Sequence, residues 1–252
     1  MHNRLKELLG SGKPAIGTMV QIPSAPVVEV LAQAGFDWLV LDTEHGPIDV
    51  EALHGMIRAT GGTNVTPAVR VARNLDWLAK RVLDVGALGV MMPGVNSAEE
   101  ALAAVQAVRY PPEGNRGFGP TFAALRWGLT GAEYVRNANR EVMAIVQIEH
   151  NEAVERIDEI VAVPGIGLPL IGPYDLSASM GLMGQVTHPK VQEAIDRVLM
   201  ASRKAGLPAG IFGTSADEIN GYIERGFQAI LIGVDVAFLT AGAKGMLSQI
   251  RS

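Results

Sequence analysis

Two acidic residues, Glu149 and Asp175, each come shortly after an apolar run with the composition of a β-strand. If those strands are neighbours, the two carboxylates converge, and like charges held close together are costly unless a cation lies between them. Carboxylate oxygens suit Mg²⁺ or Mn²⁺, with water and substrate oxygens as the other ligands. The alternative is that each carboxylate only caps the following helix, above all Asp175, whose Asp-Leu-Ser sequence opens a turn.

His45 is the histidine best placed for proton transfer. Asp42 lies three residues before it on the same predicted strand-end turn, where a carboxylate can fix the tautomer of the imidazole and raise its basicity. The remaining histidines lie on predicted helices, at a terminus or beside Glu149. The alternative for His45 is a turn histidine that hydrogen-bonds to the backbone.

Arg70 is a charged residue inside the otherwise apolar run at 67–71. A guanidinium binds carboxylates and polarised oxygens in a fixed fork, so a substrate with an α-keto acid would suit it. The alternative is a structural ion pair with Glu44 or Asp42, and the two roles can coexist.

These side chains must be positioned by the short apolar runs that alternate with helical patterns along the chain. Several of the helical patterns end at a glycine, which is common C-cap chemistry. We predict strands at residues 15–20, 38–41, 67–71, 89–92, 142–148, 168–171, 209–212 and 229–232. We predict helices at residues 25–34, 50–60, 75–85, 98–108, 151–161, 191–205, 216–225 and 236–249.

Eight strand-then-helix units with no linker predict an α/β fold, namely a (β/α)8 TIM barrel that forms a single domain over residues 1–252. A doubly wound parallel sheet is the alternative. In barrels of this kind the active site lies at the C-terminal ends of the strands. The polar side chains gather at those ends: Gln21, Asp42, Arg70, Gln147, Glu149, Asp175 and Asp235.

The segment from Tyr110 to Arg140 is long and rich in proline and glycine. Loops of this length inside a compact domain are usually functional. We therefore predict that the segment forms a lid or rim loop after the fourth strand.

Composition excludes several classes of protein. The net charge of −5, with no basic stretch, argues against a nucleic-acid or anionic-membrane partner. The absence of cysteine excludes disulfides, thiolate zinc sites and cysteine nucleophiles. The first ten residues lack an apolar export region, and no apolar run has membrane-spanning length. We therefore expect a cytoplasmic protein.

Two further absences, of a lysine at a strand end and of a phosphate-binding site, bear on how a carbonyl substrate could be activated. A Schiff-base aldolase needs a lysine in its site, and no lysine ends a predicted strand, so carbonyl activation falls to a metal. Asp235 would repel a phosphate at the place where barrels usually bind one, so we expect a substrate without phosphate. The lysines are Lys6, Lys13, Lys80, Lys190, Lys204 and Lys244.

Five motifs in register over nearly the whole chain resemble the HpcH/HpaI aldolase family, in particular its class II aldolases acting on 4-hydroxy-2-oxoheptane-1,7-dioate and other hydroxyketoacids. The resemblance implies reversible cleavage of 4-hydroxy-2-oxo acids, such as 4-hydroxy-2-oxoheptanedioate, to pyruvate and an aldehyde. The matching residues are Phe36-Asp37-Trp38 with Leu41 to His45, Pro67 to Arg70, Arg109 to Pro112 with Arg116-Gly117, Val146 to Glu149, and Ile171 to Ser177.

The resemblance also implies residue roles. Glu149 and Asp175 match the ligands of Mg²⁺, Mn²⁺ or Co²⁺. His45 with Asp42 matches an acid/base dyad acting at the aldol hydroxyl, and Arg70 matches the residue that steadies the pyruvate enolate. The substrate-binding positions are Arg70, Gln147, Gly172, Pro173, Tyr174, Asp175 and Phe212, with the backbone N–H groups of Tyr174 and Asp175 receiving the carboxylate.

Members of this family commonly form hexamers built as trimers of dimers that exchange the last helix. The resemblance therefore implies a homo-oligomer in which the helix at residues 236–249 packs on a neighbouring subunit. Its only other partner would be the small-molecule substrate.

Three features of the sequence depart from the family pattern, the first of them in the stretch from Gly165 to Leu170. Relatives generally carry an acidic residue near Gly167 and no proline at Pro169, and proline is disfavoured in a central strand. Phe122 stands where relatives often have arginine, and Phe212 where a smaller aliphatic residue is common. Because both aromatic residues are expected to border the aldehyde pocket, they predict a different aldehyde preference and count against a dicarboxylate substrate.

Two alternatives to the aldolase stay open at this point. Related barrels act as acyl-CoA lyases or on phosphoenolpyruvate-type substrates, although the missing phosphate site and the short chain count against both. A non-catalytic barrel that only binds a metabolite is the other alternative.

Overall fold

A computed structural model of the chain describes residues 1–251, with the side chains of residues 1–250. All strands are parallel, and each pairs with the next until β8 pairs with β1, so the sheet is a closed barrel. This confirms the (β/α)8 barrel, and the doubly wound alternative is wrong. The strands are β1 (Ala15–Val20), β2 (Trp38–Asp42), β3 (Thr66–Arg70), β4 (Gly89–Met92), β5 (Met143–Ile148), β6 (Ile166–Ile171), β7 (Gly210–Gly213) and β8 (Ala229–Val234).

The helices form a layer around the barrel, and several begin at a polar residue that caps their first turn. Ser24, Asp49, Ser97 and Ser215 each accept a hydrogen bond from a backbone N–H three residues later, which contributes about 1 kcal/mol each. The helices are α1 (Arg4–Gly10), α2 (Ala25–Gln33), α3 (Val50–Ala59), α4 (Asp76–Asp84), α5 (Ala98–Val108), α6 (Thr121–Arg126), α7 (Gly131–Glu141), α8 (Asn151–Glu155), α9 (Ile157–Val161), α10 (Pro173–Ser179), α11 (Pro189–Lys204), α12 (Ala216–Arg225) and α13 (Asp235–Arg251).

Helix α1 closes the N-terminal end of the barrel, a role that the sequence did not reveal. Leu5, Leu8 and Leu9 are buried against side chains that point into the barrel. The side chain of Asn3 donates hydrogen bonds to the carbonyls of Leu88 (3.1 Å) and Glu141 (2.8 Å). Within the described residues, the barrel is therefore open at the C-terminal ends of the strands and closed at the other end.

The segment from Tyr110 to Arg140 is not a lid over the C-terminal rim, so that prediction is wrong. It contains α6 and α7, and it packs beside the C-terminal end of α4, where Arg116 binds Asp84 (2.9 Å). The indole of Trp127 donates to the carbonyl of Gly86 in the same place (3.1 Å). The reason is that α5 returns the chain to the N-terminal end of the barrel before the segment begins.

The unusual sequence of β6 has a structural explanation. A Cβ atom at Gly167 would lie 2.4 Å from the side chain of Met143, so only glycine fits there without displacing this inner residue. Pro169 pairs with Val146 of β5, whereas the pairing of β6 with β7 begins only at Leu170. Proline is tolerated because the β7 side of the strand has no ladder at that position.

Helix α13 is exposed from residue 236 to residue 250, whereas its first residue, Asp235, is buried. Every residue from 236 to 250 is exposed, including the apolar side chains of Phe238, Leu239, Met246 and Ile250. A large apolar surface on one helix is typical of a site that another protein surface covers. Among the described helices, none is both long and apolar enough to span a bilayer.

Candidate active site

The C-terminal end of the barrel holds a cavity of about 170 Å³. Sites for drug-sized ligands are about 300–1,000 Å³, so this cavity suits a small substrate. It adjoins a shallower cleft, and His45 and Asp175 line both. The cavity is lined by Met19, Gln21, His45, Arg70, Met91, Gln147, Leu170, Gly172, Pro173, Tyr174, Asp175, Phe212, Leu231 and Val234. The cleft is lined by Glu44, His45, Gly94, Asn96, Glu149, His150, Asp175, Ala178 and Ser179.

Asp42 and Arg70 form a buried ion pair beneath the cavity. They are the last residues of β2 and β3 and are register partners in the sheet. The guanidinium donates from Nε to Oδ1 (2.9 Å) and from Nη2 to Oδ2 (2.7 Å), and Gln21 also donates to Oδ2 (2.9 Å). Burial alone would raise the pKa of Asp42, but the hydrogen bonds and charge of Arg70 outweigh it and lower that pKa below its usual value. Asp42 is therefore charged and fixes the orientation of Arg70.

The predicted contact between the Asp42 carboxylate and the imidazole of His45 is not present. Asp42 accepts a hydrogen bond from the backbone N–H of His45 (3.3 Å), while the ring Nε2 lies 3.8 Å from a carboxylate oxygen of Glu44. Arg70, Gln21 and the turn N–H groups already occupy the acceptor sites of Asp42. The side chain of His45 is 61% exposed, so its acid/base role stays a prediction, with Glu44 as its carboxylate neighbour.

Glu149 lies one residue past β5 and is held at both oxygens. Oε1 accepts the backbone N–H of Gly94 (2.7 Å), and Oε2 accepts a hydrogen from the Gln147 side chain. Burial, together with the charges of Asp175 and Glu44, raises the pKa of Glu149 to about 7, although Gly94 and Arg70 act in the opposite direction. Glu149 is therefore a half-buried carboxyl group with two other carboxylates, those of Asp175 and Glu44, as neighbours.

Asp175 lies in the first turn of α10, facing the cavity and the cleft. Its carboxylate makes no hydrogen bond or ion pair with any residue that the structure describes. The residue at the N-cap of α10 is Gly172, and that of α8 is His150. The alternative that Asp175 and Glu149 merely cap helices is therefore wrong.

The donor set fits a hard divalent cation. Among the described residues, no group of three His, Cys, Asp or Glu side chains converges closely enough to hold a metal alone. Glu149 and Asp175 instead offer a pair of carboxylates beside an open cleft, and Mg²⁺ usually takes one or two carboxylates and completes its shell with water and substrate oxygens. Burial and, after it, repulsion by Asp175 and Glu44 raise the pKa of Glu149, and a cation between Glu149 and Asp175 would offset both effects.

Gln147 connects the carboxylate pair of Glu149 and Asp175 with the cavity. Its side chain is buried, it donates to Glu149, and its Oε1 has no partner among the described residues. A buried acceptor without a partner is costly, so this oxygen is available to a hydrogen-bond donor on a ligand. No lysine lines the cavity or the cleft in the described part of the chain, which excludes a Schiff base formed there.

The sequence interpretation missed two backbone contacts of the site. Gly94 delivers its N–H to Glu149 in a left-handed conformation (φ +62°), and the only sequence signal was a glycine directly after β4. Asp235, which we read as a charge that repels phosphate, is buried and accepts the backbone N–H groups of Gln21 (3.0 Å) and Ile22 (2.9 Å). It therefore joins the ends of β8 and β1.

Phe122 does not border the cavity within this chain, contrary to expectation. Its ring contacts His54 of α3 edge-on, with 5.3 Å between ring centroids. Phe212, by contrast, lines the cavity as predicted. The difference arises because Phe122 belongs to α6, outside the C-terminal rim.

A closed parallel barrel whose strand ends carry an arginine, a glutamine and a pair of carboxylates is an enzyme of the (β/α)8 class. A family model described as HpcH/HpaI aldolase/citrate lyase matches residues 16–241. The chain belongs to this family, and it is a carbon–carbon lyase of the aldolase type.

Similar proteins agree with this assignment. The 2-dehydro-3,6-dideoxy-6-sulfogluconate aldolase of Pseudomonas putida is 39% identical over 94% of this chain and 92% of its own length. The 4-hydroxy-2-oxo-heptane-1,7-dioate aldolase of Klebsiella pneumoniae is 39% identical over 99% and 94%. The crystal structure of a HpcH/HpaI aldolase/citrate lyase family protein from Burkholderia cenocepacia superposes with a TM-score of 0.92 at 35% identity, covering 99% of this chain and all of the other.

Proposed function

We propose that this enzyme is a divalent-metal-dependent pyruvate aldolase that reversibly cleaves 4-hydroxy-2-oxo acids to pyruvate and an aldehyde. The observation that carries the proposal is the pair formed by Glu149, whose pKa is raised to about 7, and Asp175, whose carboxylate has no described partner. Divalent-metal dependence is general in this class of aldolases. The relatives named above are aldolases for different acids, so the choice of acid must come from this chain.

Glu149 and Asp175 would hold the cation, for which Mg²⁺, Mn²⁺ and Co²⁺ are the candidates. When bound, the cation would supply Lewis-acid polarisation of the substrate keto group. Water and substrate oxygens would complete its coordination, because the protein supplies only these carboxylates.

Arg70 would stabilise the negative charge that develops on the enolate oxygen of pyruvate. Its guanidinium is already oriented by the two hydrogen bonds that it donates to Asp42, so little reorganisation is needed when the charge appears. The backbone N–H groups of Tyr174 and Asp175, which lie in the first turn of α10 and have no acceptor inside the helix, would receive the pyruvate carboxylate. Gln147 would contact the same end of the substrate.

His45 would move the proton of the aldol hydroxyl. Its ring lies at the border of the cavity and the cleft, with Glu44 at 3.8 Å from Nε2. In the cleavage direction the ring would take the hydroxyl proton while the carbon–carbon bond breaks. In the reverse reaction, aldol addition, it would return that proton. Glu44 would stabilise the imidazolium formed in between.

We also propose that residues 1–252 act as one domain in a cytoplasmic homo-oligomer, a hexamer built as a trimer of dimers that exchange α13. The apolar side chains exposed along α13 support this proposal. Light scattering coupled to size-exclusion chromatography gives the subunit number, and a chain truncated before α13 should then run as a smaller species.

The test of the reaction is pyruvate release from 4-hydroxy-2-oxo acids by protein treated with EDTA and then supplied with Mg²⁺, Mn²⁺ or Co²⁺. We expect turnover to vanish on chelation and to return with metal. Turnover that EDTA does not affect would overturn the metal mechanism. Pyruvate binding without turnover would indicate a binding protein, and cleavage of a CoA ester instead would indicate an acyl-CoA lyase.

A further inference from the structure

The cavity has two chemically different ends. Arg70 and Gln147 lie at one end, where the proposed function places pyruvate. Across the barrel, β7, β8 and β1 contribute a mainly apolar wall, namely Phe212, Leu231, Val234 and Met19, with Tyr174 beside Phe212 and with Gln21 as the polar residue after β1. The part of the substrate that leaves as the aldehyde must therefore contact the apolar wall.

Tyr174 and Phe212 form the outer part of this wall. Their rings meet edge to face, with 6.1 Å between centroids and an interplanar angle of 68°, a geometry that favours aromatic pairs. Tyr174 is only 37% exposed although it lies at the mouth of the cavity. The pair thus narrows the opening on the aldehyde side.

Thr214 and Glu218 hold the tyrosine in place from outside the cavity. The hydroxyl oxygens of Tyr174 and Thr214 are 3.3 Å apart. Thr214 is itself fixed, since its backbone N–H donates to a carboxylate oxygen of Glu218 (2.8 Å). Because Glu218 belongs to α12, the orientation of the Tyr174 ring depends on a helix that does not line the cavity.

The charges around the cavity disfavour an acidic group at the apolar end. Among the described residues that line it, Arg70 is the only one with a permanent positive charge. Arg70 is already bound to Asp42 and lies 3.2 Å from Glu44. A carboxylate on the aldehyde would have no cationic partner there and would lose its hydration, which is costly.

We propose that Tyr174 and Phe212 determine the aldehyde specificity and select short uncharged aldehydes over aldehydes that carry a carboxylate, with Thr214 positioning Tyr174. The proposal rests on the proposed pyruvate aldolase function. In the addition reaction, C3 of pyruvate loses a proton and bonds to the aldehyde carbon, and the aldehyde oxygen gains a proton. The product contains all atoms of both reactants, so no other reagent is needed.

The first experiment compares butanal with succinic semialdehyde, which has the same four-carbon chain but ends in a carboxylate. With pyruvate and the metal-loaded enzyme, we expect kcat/KM to be at least about tenfold higher for butanal. Equal values, or a preference for succinic semialdehyde, would overturn the proposal.

Variants then separate the roles of the side chains. Tyr174→Phe and Thr214→Val should each raise KM for butanal about fivefold with kcat nearly unchanged, as expected for one lost hydrogen bond. If Thr214 acts through Tyr174, the double variant should be no worse than either single variant. Additive effects would contradict the positioning role. Tyr222→Phe is the matched control, since Tyr222 donates to the other oxygen of Glu218 (3.2 Å) and should leave KM unchanged.

A separate readout distinguishes failure of this proposal from failure of the aldolase function. Exchange of the pyruvate methyl protons in D₂O, followed by NMR without any aldehyde, reports enolate formation alone. Exchange that proceeds at the same rate in wild type and Phe212→Ala, combined with a lower kcat/KM for butanal in the variant, supports the aldehyde role. Unchanged kcat/KM for butanal in Phe212→Ala contradicts it, while absence of both exchange and turnover in the wild type would refute the proposed function itself.

Discussion

Asp42, which is buried, and Glu149, which is half-buried, are both carboxyl groups at strand ends, yet their surroundings differ. Asp42, on the β2–β3 side of the barrel, binds Arg70 and Gln21, and its pKa is lowered. Glu149, on the β5–β6 side, has Asp175 and Glu44 as neighbours, and burial with their charges raises its pKa to about 7. The charge of Asp42 is thus balanced by its ion pair with Arg70, whereas Glu149 forms no ion pair with any described residue.

The two carboxyl groups are therefore expected to have different roles in the barrel. An acid whose charge is matched inside the protein stabilises the fold and orients its partner, here Arg70. An acid buried near other acids costs stability and is kept where a ligand supplies the missing charge. The first should matter for stability, and the second for metal binding and turnover.

The largest expected effect is on turnover, from Glu149→Gln. Loss of this proposed metal ligand should lower kcat/KM by roughly 10³-fold, while stability without metal stays equal or rises because a half-buried carboxyl near other carboxylates is removed. Steady-state kinetics and thermal melting measure the two effects. Glu152→Gln is the control, since Glu152 is an exposed residue paired with Arg156. If Glu149→Gln retained activity, the proposed difference in role between Glu149 and Asp42 would be wrong.

Asp42→Asn should mainly affect stability. It leaves the buried guanidinium of Arg70 with a weaker partner, and loss of one member of a buried pair costs about 3 kcal/mol or more. We expect the lower end of that range because Glu44 lies 3.2 Å from Arg70. Chemical denaturation measures the loss. Asp158→Asn, at an exposed pair with Lys204, should change the free energy of unfolding by less than about 1 kcal/mol, and equal losses would argue against the comparison.

The two acids should respond to pH in opposite directions. In metal-free protein the folded pKa of Glu149 is raised to about 7, so its contribution to stability falls as pH rises from its ordinary value to about 7. The contribution of Asp42, whose pKa is lowered, is present above its ordinary pKa and is lost as pH falls through the folded value.

Metal binding provides the measurement for this third prediction. Because a cation must displace the proton of Glu149, affinity should rise roughly tenfold per pH unit below about 7 and then level off. Titration calorimetry in several buffers follows both the affinity and the released proton. An affinity independent of pH between 5.5 and 7 would mean that Glu149 is already ionised.

The smallest expected effect is that of Gly94→Ala. Gly94 has φ +62° with open space around its Cα, so alanine costs about 1 kcal/mol of backbone strain. Gly62→Ala, at φ +77° and equally open, should cost the same stability. Only Gly94→Ala should weaken metal binding, because the N–H of Gly94 donates to Glu149 (2.7 Å). Equal metal affinity in both variants would show that Gly94 does not contribute to the site.

The sequence predicted the strands and their C-terminal ends well because apolar runs and glycine stops are local signals. Helix α2 ends before Gly35 and α12 ends at Gly226, both in a left-handed conformation. The sequence could not place residues whose role depends on distant partners. The position of α6 depends on which end of the barrel α5 reaches, and the partner of Asp42 depends on the register of β2 with β3.

His45 illustrates the same limit within the site. Its spacing from Asp42 predicted a contact between the side chains, but the backbone N–H of His45 makes the contact instead. The imidazole of His45 and the guanidinium of Arg70 compete for the carboxylate of Asp42. The charge-assisted bidentate contact of Arg70 is the stronger one. Spacing along the chain cannot reveal such a competition.

The carboxylate of Asp235 connects the first and last strands of the barrel, since its partners Gln21 and Ile22 are 214 and 213 residues away. Contacts of such long sequence separation form late, because the loop between them must first be closed. During synthesis the first strand therefore leaves the ribosome long before its partner β8 exists, and its edge stays open for that time. An unpaired strand edge promotes aggregation, so the nascent barrel is most exposed to aggregation in the interval before β8 and Asp235 emerge.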